Sequence, residues 1–259
     1  ERLELENEWR NLHANWTKKN MRRYQTTGIA RVGTDSLDVE AQGRVPGSVN
    51  DQFSLDEYDG TLRVATTVDP SFGRVDGEND VYTLSVDALK QRGNVTGMGV
   101  NERIYSTRFL GDKGYVVTFR RIDPFHVLDL SDPENPSLEG ELKLPGFSSY
   151  LHPLGNDTVL GVGEEDGEVK AVLFDVADPT NPTVEDSYIL DESWSAIRNT
   201  HHAFLHDERH DVFFLPASQG GYVFSYNDGL SLEKAVSMKD VERAVYINDY
   251  LYVLGLEEI

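Results

Sequence analysis

Hydrophobic positions divide the chain into a short first part and a long second part. In residues 1–24, large apolar side chains recur at intervals of four, three and four residues: Leu5, Trp9, Leu12 and Trp16. That spacing is typical of one face of an α-helix. Acidic residues precede the middle of this segment and basic residues end it, which suits the helix macrodipole. We therefore expect a helix that packs through one face on a larger body.

From Thr26 onward the pattern changes to short apolar or alternating runs, rich in Val, Tyr, Phe and Leu. Gly, Asp, Asn and Pro interrupt these runs about every ten residues. Alternation and β-branched or aromatic residues favour strands, and closely spaced turn residues favour hairpins. The second part is therefore predicted to be a meander of antiparallel strands.

One strand-to-strand corner occurs twice in the sequence. Four residues recur as the same types 46 positions later: Asp132, Pro133, Asn135 and Pro136, then Asp178, Pro179, Asn181 and Pro182. Proline fixes φ in the turn, aspartate caps it, and the second proline blocks further ladder pairing. Asp129 and Asp175 end the strands before these corners, where we expect them to accept hydrogen bonds from backbone amides.

The length of the repeat indicates the fold. Hairpins recur at intervals of about 40 to 54 residues, which is the length of a four-stranded propeller blade. The repeat predicts four whole blades, over residues 48–99, 100–147, 148–195 and 196–239. We therefore predict an all-β β-propeller of four-stranded antiparallel blades with a short N-terminal α-helix. The expected domains are a helical segment, 1–25, and a propeller domain, 26–259.

Two strand pairs remain outside the whole blades. The pair in 26–47 resembles the outer half of a blade, and the pair in 240–259 resembles the inner half. The two halves either meet and close a five-bladed ring, or the chain is a piece of a longer propeller whose first and last blades are incomplete here. Because the sequence stops directly after a predicted strand, we expect the longer propeller.

Four stretches resemble a known family: VPGSVNDQFSLDEYDGTLRVATTV, ERIYSTRFLGDKGYVVTFRRIDPFHVLDLSDPENP, GELKLPGFSSYLHPLG and FDVADPTNP. Together they are similar to archaeal and bacterial secreted proteins with a C-terminal β-propeller domain distantly related to WD-40 repeats. The resemblance implies an extracytoplasmic location, within a longer chain that is secreted or anchored upstream. It brings no catalytic residues. His126 and the run NTHHAFL at 199–205 depart from the family pattern.

Charge narrows the possible partners. The chain has 45 Asp and Glu against 24 Lys and Arg, so phosphate backbones are repelled and nucleic-acid binding is disfavoured. The acidic residues are spread along the chain, which favours a halophilic surface over cation binding as their cause. There is no cysteine, which excludes disulfides and thiol catalysis. No apolar run is long enough to predict membrane insertion.

Two residues are candidates for ligand binding. Aligning the hairpins places Arg108, His152 and Ala203 at comparable positions of three blades. Arg108 and His152 could meet an anionic ligand at one end of a propeller channel.

Calcium is a possible cofactor at the first hairpin. Asp56, Glu57 and Asp59 crowd this hairpin, and hard cations prefer such oxygen ligands. There is no EF-hand spacing, however, and a turn rich in Asp and Gly needs no ion.

Histidines cluster in one segment, at His201, His202, His206 and His210. If the segment is a strand, His202 and His206 share one face while His201 points to the other. The distance along an extended strand would keep His202 and His206 from sharing a metal ion. We therefore interpret these histidines as surface or capping residues.

The sequence contains no nucleophile elbow, P-loop or zinc-protease motif. We therefore predict a noncatalytic, extracytoplasmic propeller that binds a protein or a cell-surface polymer. The alternative is a carbohydrate-active hydrolase at the channel mouth, which needs two carboxylates about 5 to 9 Å apart in a pocket. A broad exposed apolar patch would support the binding module instead.

Overall fold

A computed structural model describes residues 1–69, 75–119, 123–155 and 157–256. The chain divides into two compact units, Glu1–Glu141 and Leu142–Ile259, and each is described separately. Within the described ranges, no helix is both long enough and apolar enough to cross a membrane.

The first unit begins with the helix α1 (Arg2–Tyr24) and a two-stranded sheet of β1 (Thr26–Val32) and β2 (Val39–Pro46). Two four-stranded sheets follow. The first contains β3 (Leu55–Tyr58), β4 (Thr61–Val68), β5 (Glu78–Ser85) and β6 (Gln91–Met98). The second contains β7 (Arg103–Leu110), β8 (Lys113–Phe119), β9 (Asp123–Asp129) and β10 (Ser137–Leu144), whose last residues cross into the second unit.

The second unit contains two further four-stranded sheets. One consists of β11 (Phe147–Pro153), β12 (Thr158–Glu165), β13 (Glu168–Asp175) and β14 (Thr183–Leu190). The other consists of β15 (Leu205–Asp207), β16 (Val212–Pro216), β17 (Gly220–Ser225) and β18 (Ser231–Ser237). A two-stranded sheet of β19 (Val241–Ile247) and β20 (Tyr250–Gly255) ends the unit.

The predicted all-β fold of antiparallel four-stranded sheets with one N-terminal helix is confirmed. Each four-stranded sheet lies within one predicted blade to within one residue, since β11 begins at Phe147 instead of residue 148, and the two predicted half-blades are two-stranded sheets. Residues 257–259, which the last predicted pair included, lie outside the described residues.

Burial explains why the strands of one sheet differ in sequence. The middle strands β5, β8 and β13 are buried at nearly every position, so their side chains are apolar or, like Asp80 in β5, paired by hydrogen bonds. The fourth strands β6 and β14 are largely exposed. In the first unit, residues of two sheets join one core cluster: Ala65, Val81, Met98, Ile104, Phe109, Val116, Leu128 and Leu130. The sheets therefore pack face to face.

The repeated corners have the predicted turn chemistry. Asp132 Oδ1 accepts a hydrogen bond from the amide of Glu134 at 2.9 Å, and Asp178 Oδ1 accepts one from Thr180 at 3.0 Å. These bonds and those from neighbouring polar groups lower the pKa of both carboxyls. The strand-ending aspartates also behave as predicted: Asp129 accepts from the amide of Ser131 and Asp175 from that of Ala177.

The helix is confirmed, but the prediction of its packing face is wrong. Its buried residues are Thr17 and Met21, which lie near its C-terminal end. The predicted packing residues are instead exposed to 62%, 64%, 62% and 53%: Leu5, Trp9, Leu12 and Trp16. Periodicity identified an apolar face, but it could not show that the opposite face makes the contact.

A charged cluster fastens the end of α1 to the first four-stranded sheet. The Arg22 guanidinium donates two hydrogen bonds of 2.8 Å to Asp80 and one of 2.7 Å to Glu78. The Tyr82 hydroxyl donates to the same Asp80 at 2.6 Å, and the amide of Gly97 donates at 3.0 Å. The hydrogen bond to Asp80 raises the pKa of Arg22, so this fully buried carboxylate is paired with a permanent cation.

Candidate functional site

The two predicted ligand-binding residues belong to different units. Arg108 lies in β7, where its guanidinium carbon is 3.9 Å from the centre of the Phe53 ring. Such a contact is a cation–π interaction, and it orients the guanidinium. His152 lies in β11 of the second unit. Ligand binding by Arg108 remains a prediction, whereas the surroundings of His152 form a defined cluster.

The predicted calcium residues are not assembled into a metal site. Asp56 is ion-paired with Arg63, and it alternates with Glu57 along β3. Asp59 and Gly60 form a tight turn with φ of 47° and 67°, a hairpin geometry that needs no ion. Across the part of the chain that the structure describes, no three His, Asp or Glu side chains are arranged to hold a metal ion.

His152 is part of a hydrogen-bonded chain of four side chains, which we call the His–Tyr cluster: Tyr150, His152, His206 and Tyr226. The Tyr150 hydroxyl is 3.0 Å from Nδ1 of His152. Nε2 of His152 is 3.1 Å from Nδ1 of His206, and Nε2 of His206 is 2.7 Å from the Tyr226 hydroxyl. A neutral imidazole donates a hydrogen bond at one nitrogen and accepts one at the other. All the hydrogen bonds of the cluster can therefore point from Tyr150 towards Tyr226 or in the opposite direction.

Local structure brings the two histidines together. Each is the penultimate residue of the first strand of its sheet, β11 or β15. His206 therefore occupies the position that hairpin alignment assigned to Ala203, and that alignment was wrong. Ala203 is buried in a short 3-10 helix, His201–Ala203.

The prediction that His201 and His202 point to opposite faces of a strand is wrong, because both lie in this 3-10 helix. His201 and His202 do not point apart, because helical geometry brings their ring centroids to 3.9 Å. His206 is not a surface or capping residue either, since it is half-buried and bonded to His152 and Tyr226.

Aromatic rings surround the cluster. The Phe204 ring is 4.7 Å from that of His152 and 5.2 Å from that of Tyr150, between centroids. Phe213 stacks with Tyr226 at 6.4 Å. His152, His206 and Tyr226 are half-buried, and the rings of Phe204 and Phe213 beside them are buried.

Burial favours the neutral forms of His206 and Tyr226 in the cluster. Burial lowers the pKa of His206 below 6.5, although the nearby carboxylates of Glu208, Asp207 and Asp211 oppose this shift. Burial likewise raises the pKa of Tyr226 above 10.0. A cluster without Lys or Arg, beside several carboxylates, is a poor site for an anionic ligand.

One of the three carboxylates near the cluster is already bound within the protein. Asp207 is 4% exposed and accepts hydrogen bonds from Nδ1 of His210 at 2.5 Å and from the amide of Arg209 at 3.0 Å. Burial alone would raise the pKa of Asp207, but these bonds and one from Tyr246 outweigh it and hold the pKa far below its usual range. This carboxylate therefore serves to fix the turn after β15.

His126, which departs from the family pattern, is buried and hydrogen-bonded. It is 1% exposed in β9, and its Nε2 lies 3.1 Å from Oγ1 of Thr118. The Thr118 hydroxyl donates in turn to Glu102 at 2.6 Å. Hydrogen bonding thus accommodates a histidine where an apolar residue was expected.

Fold, repeat and sequence comparison agree on the class of protein. The chain belongs to the β-propeller domain family, whose model matches residues 10–259. An uncharacterised protein of Archaeoglobus fulgidus is 55% identical over the whole chain, and protein MJ1554 of Methanocaldococcus jannaschii, also uncharacterised, is 42% identical over 95% of it. The chain spans about 40% of the length of each of these two relatives.

Proposed function

We propose that this propeller is a noncatalytic, extracytoplasmic binding module and that its second unit binds the hydroxyl groups of a cell-surface polymer. The observation that carries this proposal is the His–Tyr cluster. It combines neutral hydrogen-bonding groups with aromatic rings at a half-buried position, as ligand-binding sites commonly do.

The chemistry of the cluster favours a neutral ligand rich in hydroxyl groups. A ligand hydroxyl both donates and accepts hydrogen bonds. It can therefore bond to the Tyr226 hydroxyl whichever way the hydrogen bonds of the cluster point. An anionic ligand is disfavoured by the carboxylates of Glu208 and Asp211. His152 is therefore proposed as a ligand-binding residue, but for a neutral partner.

Binding is favoured over hydrolysis at this position. Glycoside hydrolysis normally needs one carboxyl group as acid and a second as base or nucleophile. Of the three carboxylates near His206, Asp207 is buried and bound by His210 and Arg209. Its low pKa also makes it a poor proton donor.

The extracytoplasmic location is supported by the resemblance to secreted propeller proteins. In a protein of the length of the two archaeal relatives, this chain would be one part, and we propose that the whole protein is secreted or anchored outside the cytoplasm.

Binding to isolated cell envelopes of Archaeoglobus fulgidus tests the proposal. Tyr226→Phe removes only the terminal hydroxyl, and Tyr250→Phe is the matched control because Tyr250 is 67% exposed. We expect the chain to cosediment with envelopes and the Tyr226 variant to bind about 3- to 10-fold more weakly, the loss of one hydrogen bond. The control variant should bind as the unmodified chain does.

Two further treatments separate the alternatives. Periodate oxidation of envelope glycans should abolish binding, whereas undiminished binding would show a protein partner and overturn the polymer proposal. Release of reducing sugar ends by the chain would support the hydrolase. Equal binding of both tyrosine variants would show that the Tyr226 hydroxyl of the His–Tyr cluster does not contact the ligand.

A further inference from the structure

The exposed apolar face of α1 has the spacing of a coiled-coil seam. We call this face the α1 seam: Leu5, Trp9, Leu12 and Trp16. Its intervals of four, three and four residues average 3.5, the repeat that keeps apolar residues on the line between two supercoiled helices. All four side chains are more than half exposed. A contiguous apolar stripe of this kind is typical of an interaction surface.

The attachment of α1 leaves the seam accessible. The helix contacts the body of the first unit through Thr17, Met21 and Arg22, all near its C-terminal end. In the heptad that puts the seam at the a and d positions, Thr17 and Met21 occupy b and f, on the opposite face. Attachment and seam therefore use different faces of the same helix.

Side-chain size along the seam favours an antiparallel partner of the same sequence. If two copies of α1 pair antiparallel and centred between residues 10 and 11, Leu5 faces Trp16 and Trp9 faces Leu12. Every layer then contains one large and one smaller side chain, which packs without voids or overlap. A parallel pair would place tryptophan against tryptophan and leucine against leucine.

Charge along the helix favours the same arrangement. Residues 1–8 contain four Glu and one Arg, whereas residues 17–24 contain two Lys and two Arg and no acidic residue. Antiparallel pairing places the acidic end of each helix beside the basic end of the other, and parallel pairing places like charges together. Lys18, Lys19 and Arg23 are exposed. Lys19 lies level with Arg2 of the other copy in this register, so the attraction is between the helix ends as a whole and not between single ion pairs.

We infer that the partner of the α1 seam is a second copy of this chain, bound through an antiparallel pair of α1 helices. This interface uses residues of the first unit only. It is independent of ligand binding by the His–Tyr cluster, so either proposal can fail alone. Dimerisation would present two propeller surfaces to one polymer, which increases binding through avidity.

Sedimentation equilibrium tests the dimer. We expect a mass of twice 29.1 kDa for the chain and 29.1 kDa for Leu12→Glu, which places a charge in the seam. Leu3→Glu is the matched control, because Leu3 is 71% exposed but lies outside the seam. It should remain dimeric, and so should the conservative variant Leu12→Met. Far-UV circular dichroism checks that each variant keeps its helix.

The orientation has a separate test, since the chain has no cysteine of its own. The antiparallel pair brings residue 8 of one copy beside residue 15 of the other. Mixing Glu8→Cys and Asn15→Cys chains under oxidation should therefore give more mixed disulfide than either homodisulfide. A monomeric chain, a dimer that survives Leu12→Glu, or an excess of homodisulfides would overturn the inference.

Discussion

The two units each contain a network of polar side chains at the edge of the core, and the two networks differ in charge. In the first unit, Arg22 is ion-paired with Asp80 and Glu78, and Asp80 has no exposed surface. In the second unit, the His–Tyr cluster contains no carboxylate and no permanent cation, and three of its four residues are half-buried. Both networks join elements that are far apart in sequence, but only the first contains a carboxylate with no exposed surface.

This difference separates a structural network from a candidate binding site. A buried carboxylate needs a cation and hydrogen bonds at all times, so a ligand could engage Asp80 only by displacing them. Neutral imidazole and phenol groups cost less to expose, and their hydrogen bonds can be exchanged for those of a ligand. We therefore expect mutations in the first network to affect stability and mutations in the second to affect binding.

The largest effect is expected from Arg22→Met. This substitution leaves Asp80 and Glu78 without their cation, which costs about 3–5 kcal/mol for a fully buried pair and less here, because the Arg22 side chain is 30% exposed. Urea unfolding measures the change in the free energy of unfolding. The matched control is Arg23→Met, because Arg23 is exposed and should change stability by no more than about 0.5 kcal/mol. Equal effects of the two variants would show that the charged network does not fasten α1.

A smaller effect is expected from pH. The pKa of His206 is below its ordinary value of 6.5, so the unfolded chain binds a proton more readily than the folded chain. Stability should therefore be full above pH 6.5 and fall as pH decreases below it, by at most about 1.4 kcal/mol per pH unit from this one group.

Urea unfolding between about pH 5 and 7.5 measures this slope above the range of ordinary carboxylates. His206→Gln should reduce the slope, and His202→Gln should not, because His202 is exposed. An unchanged slope in the His206 variant would contradict a lowered pKa of His206.

The smallest effect is expected from salt. Surface repulsion among 45 acidic and 24 basic residues is screened by potassium chloride, whereas the buried Arg22–Asp80 pair is screened much less. We expect molar potassium chloride to raise the melting temperature by a few degrees, about 1 kcal/mol for a chain of this size. Calcium chloride at matched ionic strength should add nothing. A saturable rise at submillimolar calcium would instead restore Asp56, Glu57 and Asp59 as a calcium site.

Much of the fold could be predicted because the same turn-forming residues recur at each repeated corner. The corners at Asp132 and Asp178 depend on side chains that bond amides two residues away, and such bonds are readable from a short sequence. The boundaries of the sheets could also be predicted, because turn residues separate the short apolar runs that form the strands. The packing face of α1 could not be predicted, since Arg22 attaches it to residues more than fifty positions away.

The candidate site was only partly predictable. His152 was identified by its place before a hairpin, but its partner was assigned to Ala203 instead of His206. A 3-10 helix at His201–Ala203 shortens the path before β15, and propensity gives little warning of so short an element. Counting back from the ends of the first strands would have matched His152 with His206. No sequence signal pointed to Tyr150 or Tyr226.

The sequence by itself determined the propeller repeat, the order of strands, the helix and the strong negative charge, because these depend on local spacing, turn residues and composition. Only the tertiary structure decided which polar groups meet. His152 and His206 lie 54 residues apart, and Arg22 and Asp80 lie 58 apart. Hydrogen bonds and ion pairs act over a few ångströms, so their partners are chosen by how the sheets pack.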